Sequence, residues 1–173
     1  MSFEKELPKN AIVIFDSRYG NTEKVAKSLQ NGISEAGIET ACFNENEIQI
    51  ESLKQYALIA IGGPTEAFHA SKLMRDFLQK LKDSDFRGHF GFAFDTRFEN
   101  ALSGSAAKTI EKQLKGCGLE IIAPHESAFV IGRQKQEKGG VKLKDGEEKK
   151  FEQIGKTIGS TLREKRSNKG ILI

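Results

Sequence analysis

Ser17-Arg18-Tyr19-Gly20-Asn21-Thr22 places two hydroxyls, an amide and a glycine within one short stretch. The stretch follows the apolar run Ala11–Phe15 and leads into a helical pattern, so it marks a strand-to-helix turn. The first N–H groups of a helix lack intrahelical partners and carry partial positive charge, which suits an anion. Ser17 and Thr22 add hydroxyl donors, Asn21 adds an amide, and Gly20 allows close backbone approach. Helix capping alone needs one such residue. The cluster therefore predicts a phosphate cradle that works without a lysine.

Two further stretches read as loops at strand ends. Gly63-Pro64-Thr65-Glu66-Ala67-Phe68-His69 follows the third strand, and Asp95-Thr96-Arg97-Phe98-Glu99-Asn100 follows the fourth. Phe68 and Phe98 offer faces for an aromatic ring, or else pack beneath their own loops. Tyr19 is a further candidate for the same contact. Arg97 offers a cation, with Asp95 and Glu99 on either side to oppose its charge. His69 is a candidate proton donor, whereas His69, His89 and His125 lack metal-ligand spacing. Leu102-Ser103-Gly104-Ser105 lacks the GxSxG pattern of a nucleophile elbow. No catalytic residue and no metal ligand is assigned.

The elements that must position these residues alternate in type. Residues 11–15 and 57–61 are continuously apolar, as strands buried on both faces should be. The second of these is expected to end at Gly62-Gly63-Pro64. Residues 38–43 alternate like a strand nearer an edge, and residues 89–94 form a fourth. The fifth is residues 119–123, resumed at 128–131 beyond Pro124. One helix carries Val25, Ala26, Leu29, Ile33 and Ala36 on a face and stops at Gly37. A second places Leu73, Met74, Phe77, Leu78 and Leu81 together. A third spans residues 105–115, burying Ala106, Ile110 and Leu114. A last helix, capped by Asp145, carries Phe151, Ile154, Ile158 and Leu162. Residues 44–56 predict one helical turn, and residues 132–144 a polar loop. The sum is an α/β fold, a three-layer doubly wound five-stranded parallel sheet with right-handed crossovers. Ligands in such sheets bind beyond the carboxyl ends of the strands, where the three stretches fall.

The 173 residues carry a net charge of +3, too mild for a nucleic-acid partner. They read as a single domain, residues 1–173, with an N-terminal extension at 1–10 and a basic tail at 164–173. No apolar run approaches the roughly 18–20 residues of a membrane span, and the charged N-terminus resembles no secretory signal. A cytoplasmic protein without a membrane partner is expected. Cys42 and Cys117 read as core residues rather than a disulfide.

Ser17-x-x-Gly20-Asn21-Thr22 after a buried strand resembles the phosphate signature of the flavodoxin family. The resemblance implies a flavodoxin-like sheet of order 2-1-3-4-5 and one bound FMN. It implies that Ser17, Arg18, Tyr19, Gly20, Asn21 and Thr22 wrap the phosphate. Pro64, Thr65, Glu66, Ala67 and Phe68, with Asp95, Thr96, Arg97 and Phe98, would then clasp the ring. It further implies electron transfer with a redox partner protein, by a monomer or weak homo-oligomer. Flavodoxins are also thought to turn a carbonyl of the second loop toward the one-electron-reduced ring, a turn that favours Gly or Asn. Residues 65–69 contain neither, and a left-handed residue other than glycine costs about 1–2 kcal/mol. Weak stabilisation of that form is therefore expected. Flavodoxins surround the ring with acidic groups, so Arg97 implies a less negative second potential. Pro64-Thr65 also resembles flavodoxin-like quinone reductases, which implies an alternative, hydride transfer from NAD(P)H to a quinone. A module binding some other phosphate compound is a third reading. Gly155-Lys156-Thr157 is no P-loop, because Lys150 stands where its first glycine belongs, and no GxGxxG occurs. A phosphorylation receiver would end its third strand in Asp, where Gly62-Gly63-Pro64 stands.

Overall fold

The computed structural model of the protein describes residues 10–100, 102–132 and 140–171. In chain order the elements begin with β1 (Ala11–Phe15), α1 (Asn21–Glu35) and β2 (Thr40–Asn44). Then come β3 (Leu58–Glu66), β4 (His69–Ala70), α2 (Lys72–Leu81), β5 (Phe90–Phe98) and α3 (Ala106–Gly116). The chain closes with β6 (Glu120–Ile121), β7 (Glu126–Gly132), β8 (Val141–Leu143) and α4 (Glu147–Ile171). The expected N-terminal extension at residues 1–10 falls outside the described residues except for Asn10.

Strand alternation builds two cores from one strand. Ala11, Val13 and Phe15 of β1 point to the layer of α1 and α4, whereas Ile12 and Ile14 point to the layer of α2 and α3. In β5, Phe90, Phe92 and Phe94 join the first layer and Ala93 joins the second. Cys42 and Cys117 are free thiols that pack on opposite layers. The sheet runs β2-β1-β3-β5-β7-β8, parallel throughout except for the β7–β8 pair. With β5 as fourth strand and β6 and β7 as halves of the fifth, this is the expected doubly wound order 2-1-3-4-5. Both halves pair with β5, and Pro124, which has no N–H for a ladder, lies between them.

Several local expectations need correction. Gly62-Gly63-Pro64 does not end the third strand, because β3 stays paired to β5 through Pro64 and continues to Glu66 against β4. β1 stops at Phe15, so Pro64 lies where one side of β3 no longer has a ladder to complete. A Cβ on Gly62 would stand 2.2 Å from the Phe94 ring, so that glycine makes room for the core. The fourth strand likewise runs on through Phe98, so Asp95 to Phe98 are strand residues rather than loop. Within the expected polar loop at 132–144, Val141–Leu143 forms β8, antiparallel to β7; residues 133–139 lie outside the described residues. Residues 44–56 hold two short 3-10 helices, Glu45–Glu47 and Ile50–Gln55, instead of one turn. Leu73 leaves the buried stripe of α2 and is 57% exposed, one position before Met74, which is buried. Asp145 does not cap α4: a turn through Gly146 (φ 90°) precedes Glu147. Residues 164–171 continue α4 instead of forming a tail.

Candidate functional site

The carboxyl ends of β1, β3 and β5 open into a cavity of about 370 Å³, within the range of sites for small molecules and cofactors. One wall is the turn into α1. Gly20 adopts φ 86°, a left-handed value open to glycine at little cost, and an added Cβ there would meet only open space. The Ser17 hydroxyl oxygen accepts from the Gly20 and Glu23 amides at 3.1 and 3.3 Å, which folds the turn back on itself. Among the described residues, the amides of Asn21 and Thr22 find no protein acceptor. The Asn21 side chain is committed elsewhere: it donates to the Val141 carbonyl at 3.0 Å and staples the turn to β8.

The opposite wall is the end of β5. Thr96 and Phe98 face the α1 side, and the Thr96 hydroxyl meets that of Thr22 at 2.8 Å. Asp95 alternates to the α3 side, is fully buried and does not line the cavity, so it is corrected from a ligand contact to a structural acceptor. Its Oδ2 accepts from the hydroxyls of Thr65 and Ser105 and from the Ala107 amide, at 3.0, 2.8 and 3.0 Å. Thr65 in turn accepts from the Ala106 amide at 2.9 Å, so the pair caps the start of α3. Arg97 is half-buried at the cavity, its Nε donating to the Ser127 hydroxyl at 2.9 Å.

The third side is the end of β3 and the hairpin beyond it. Thr65 pairs with Ala70 and Glu66 with His69, which closes a two-residue turn at Ala67 and Phe68. Both take positive φ, 45° and 74°, as a mirror-image hairpin turn requires. The missing glycine therefore does not prevent a left-handed turn. Two ladder pairs close it, and Gly104 packs so tightly behind it that an added Cβ would sit 2.7 Å from the Phe68 Cα. Phe68 is 60% exposed and stands outside the cavity wall, whereas Pro64, Glu66 and Ala67 line it. Arg18 and Glu66 face each other at 3.6 Å across the mouth, an exposed pair of small energetic weight. Tyr19 lies on the wall, with the Arg18 guanidinium 5.4 Å from its ring centre.

Of the predicted residues, then, Ser17 and Gly20 shape the turn without lining the cavity, and Phe68 and Asp95 leave it. Val130 and Val141, missed from sequence, complete its wall. Val130 lies on the expected strand at 128–131, whereas Val141 belongs to β8, whose strand character is hidden in a short, polar stretch. His69 is exposed on the hairpin. His89 donates from Nδ1 to the Tyr56 carbonyl at 2.7 Å, and His125 contacts Glu111 at 3.2 Å, so both are structural. Beneath the turn, the Ser71 hydroxyl donates to buried Asp16. Burial, and then the charge of Asp16, push the nearby Glu45 carboxyl above its usual range.

The model of the flavodoxin family matches residues 13–154. A flavodoxin of Clostridium saccharobutylicum is 23% identical over 141 residues, covering 81% of this chain and 87% of its own length. The type A flavoprotein of Rhodobacter capsulatus is 26% identical over 121 residues, 67% of this chain and 27% of that protein. A solved flavodoxin from the domain Archaea superposes with a TM-score of 0.75 at 22% identity, covering 89% of this chain and 99% of that one. No helix among the described residues is long and apolar enough to cross a membrane.

Proposed function

The chain belongs to the flavodoxin family, FMN-binding electron-transfer proteins, and from that premise we propose that the phosphate of FMN is held at the N-terminus of α1 and its ring between the 65–70 hairpin and the end of β5. The observation that carries this placement is the pair of unpartnered amides, Asn21 and Thr22, at the edge of a cavity of cofactor size. The residues present fit the group. α1 is 15 residues long and aims its positive dipole end at the turn. Ser17 accepts two amides with its oxygen, so its hydroxyl proton is free to donate. Thr22 and Thr96 share one hydrogen bond, which leaves one of their two hydroxyl protons for a ligand.

When bound, FMN supplies one- and two-electron redox chemistry, and the protein's part is to orient it and set its electronics. Val130 and Val141 exclude water from one side of the cavity. Thr65 and Asp95, tied to the first amides of α3, keep the end of β3 in place behind the hairpin. A redox partner protein would exchange electrons with FMN held there.

The test is a titration of FMN-stripped protein with FMN and, separately, with riboflavin, followed by flavin fluorescence. Tighter binding of FMN, with Ser17→Ala and Thr22→Val weakening FMN more than riboflavin, supports the placement. Equal affinity for the two flavins would remove the phosphate from the α1 turn.

A further inference from the structure

We propose that Arg97 is a fixed positive charge that sets the redox balance of the site, holding the anionic reduced ring more tightly than the neutral oxidised one. The inference rests on the reading that the cavity holds FMN. Arg97 lines the cavity from the end of β5. Its Nη1 donates to the Ser103 hydroxyl at 3.0 Å and the Gly104 carbonyl at 3.3 Å, and its Nε to Ser127 at 2.9 Å. The guanidinium lies 5.4 Å from the centre of the Phe129 ring.

Every one of these partners is neutral. Hydroxyls, two carbonyls and a ring orient the guanidinium, no carboxylate forms an ion pair with it among the described residues, and Nη2 has no protein acceptor there. The acidic neighbours in sequence do not pair with it. Glu99 is engaged by Lys144 at 2.8 Å. Asp95, on the same face of β5, turns Oδ2 to three donors at the start of α3 and does not line the cavity, and its buried Oδ1 accepts no hydrogen bond, from Arg97 or any other described residue. Two other cations at or near the cavity are paired. Arg18 faces Glu66 at 3.6 Å, and Lys150, which also approaches Phe129, is paired with Glu147 at 3.0 Å.

A tethered cation differs from a free one. An unanchored lysine or arginine swings into water, where salt screens it. Arg97 is held in place, and a charge near the ring is one of the levers by which a protein tunes a flavin. A two-electron reduction that leaves the ring one proton short creates a negative charge, and a fixed cation stabilises that charge.

The experiment measures affinity for oxidised and for reduced FMN, together with the two-electron potential, in wild type, Arg97→Gln, Arg97→Lys and Ser127→Ala. Arg97→Gln is expected to bind oxidised FMN within about threefold of wild type and reduced FMN at least tenfold more weakly, which is about 30 mV toward negative potential. The pH at which the reduced ring takes up its proton should rise with it. Arg97→Lys, which keeps the charge, should shift the potential less. Ser127→Ala, which frees Nε and leaves the charge, should shift it in the same direction by less. It supplies the result if Arg97→Gln fails to fold. Equal weakening for both redox states would make Arg97 a mere staple between β5, β7 and the loop before α3, and would overturn the inference. Wild-type protein that binds no FMN overturns the cavity reading and this inference together. Wild-type protein that binds FMN, with unchanged potentials in the variants, overturns this inference alone.

Discussion

Thr22 and Thr96 bring their hydroxyl oxygens to 2.8 Å across 74 positions of sequence. The bond joins the first turn of α1 to the end of β5, so the two walls of the cavity are fixed relative to each other before any ligand arrives. Both side chains are buried, and removing one hydroxyl leaves the other unsatisfied. Thr22→Val and Thr96→Val should each cost about 1 kcal/mol in urea denaturation. The double variant should cost less than the two together, because they share one interaction. Strict additivity would show that the hydroxyls act independently. In FMN titrations Thr22→Val should weaken binding the more of the two.

Ala67 and Phe68 occupy left-handed backbone that glycine or asparagine would occupy more easily. Each costs about 1–2 kcal/mol relative to ordinary backbone. Ala67→Gly should therefore raise the melting temperature, by the equivalent of about 0.5–1 kcal/mol once the entropy cost of glycine is subtracted. Gly104→Ala should lower it, since the new Cβ meets the Phe68 backbone and Gly104 itself has φ 71°. A melt unchanged by both substitutions would mean that the hairpin relaxes freely. If the hairpin holds its conformation in this way, the cavity's third wall is rigid despite its exposure.

Glu45 is buried, and its Oε2 has no hydrogen-bond partner. Burial first, and the charge of Asp16 second, raise its folded-state pKa above the ordinary value of 4.5. A raised carboxyl contributes its stability below the unfolded pKa and loses it as pH climbs through the folded value. The contribution of Glu45 to wild-type stability should thus fall as pH rises from about 4.5 toward neutrality. Glu45→Gln should match it at acid pH and exceed it at pH 7. Denaturation midpoints measured across that range check the sign, and a variant less stable than wild type at pH 7 contradicts it.

The strands and the turn into α1 were legible because their signals are local. Ala11–Phe15 is a run of apolar residues, and Ser17 to Thr22 concentrates its donors in one turn. What sequence could not show is where a strand continues past residues that usually end one. Gly62, Gly63 and Pro64 look like a stop, yet Gly62 is there to seat the Phe94 ring and Pro64 lies past the end of β1. The same extension of β5 turned Asp95 from a presumed ligand contact into a buried cap for α3, while Thr96 alternated into the cavity. The Val130 and Val141 wall depends on an antiparallel pairing whose partner lies beyond a long polar stretch. Gly155, in a pattern that superficially suggested a nucleotide loop, lies inside α4 against the Leu29 carbonyl of α1, a contact no local signal reveals.

Gly32 and Gly155 mark where α1 and α4 touch backbone to backbone. A Cβ on Gly32 would lie 2.0 Å from the Glu152 carbonyl oxygen, and one on Gly155 would lie 2.4 Å from that of Leu29. A turn further along α4, a Cβ on Gly159 would lie 2.6 Å from that of Ala36. These neighbours are mostly main chain, which cannot rotate aside, so the helices would have to separate. Overpacking of this kind costs about 1–3 kcal/mol or more, and Gly32→Ala should reach the upper part of that range. The exposed Gly116 of α3, where an added Cβ meets nothing within 4 Å, is the control. Gly116→Ala should be neutral or stabilising by up to about 1 kcal/mol. Because α1 also supplies the Asn21 and Thr22 amides, a displacement of its axis moves the proposed anion cradle. Gly32→Ala should therefore weaken FMN more than riboflavin in the folded fraction, whereas Gly116→Ala should leave both unchanged. Equal stability of the two variants would show that α1 and α4 do not meet as closely as these contacts require.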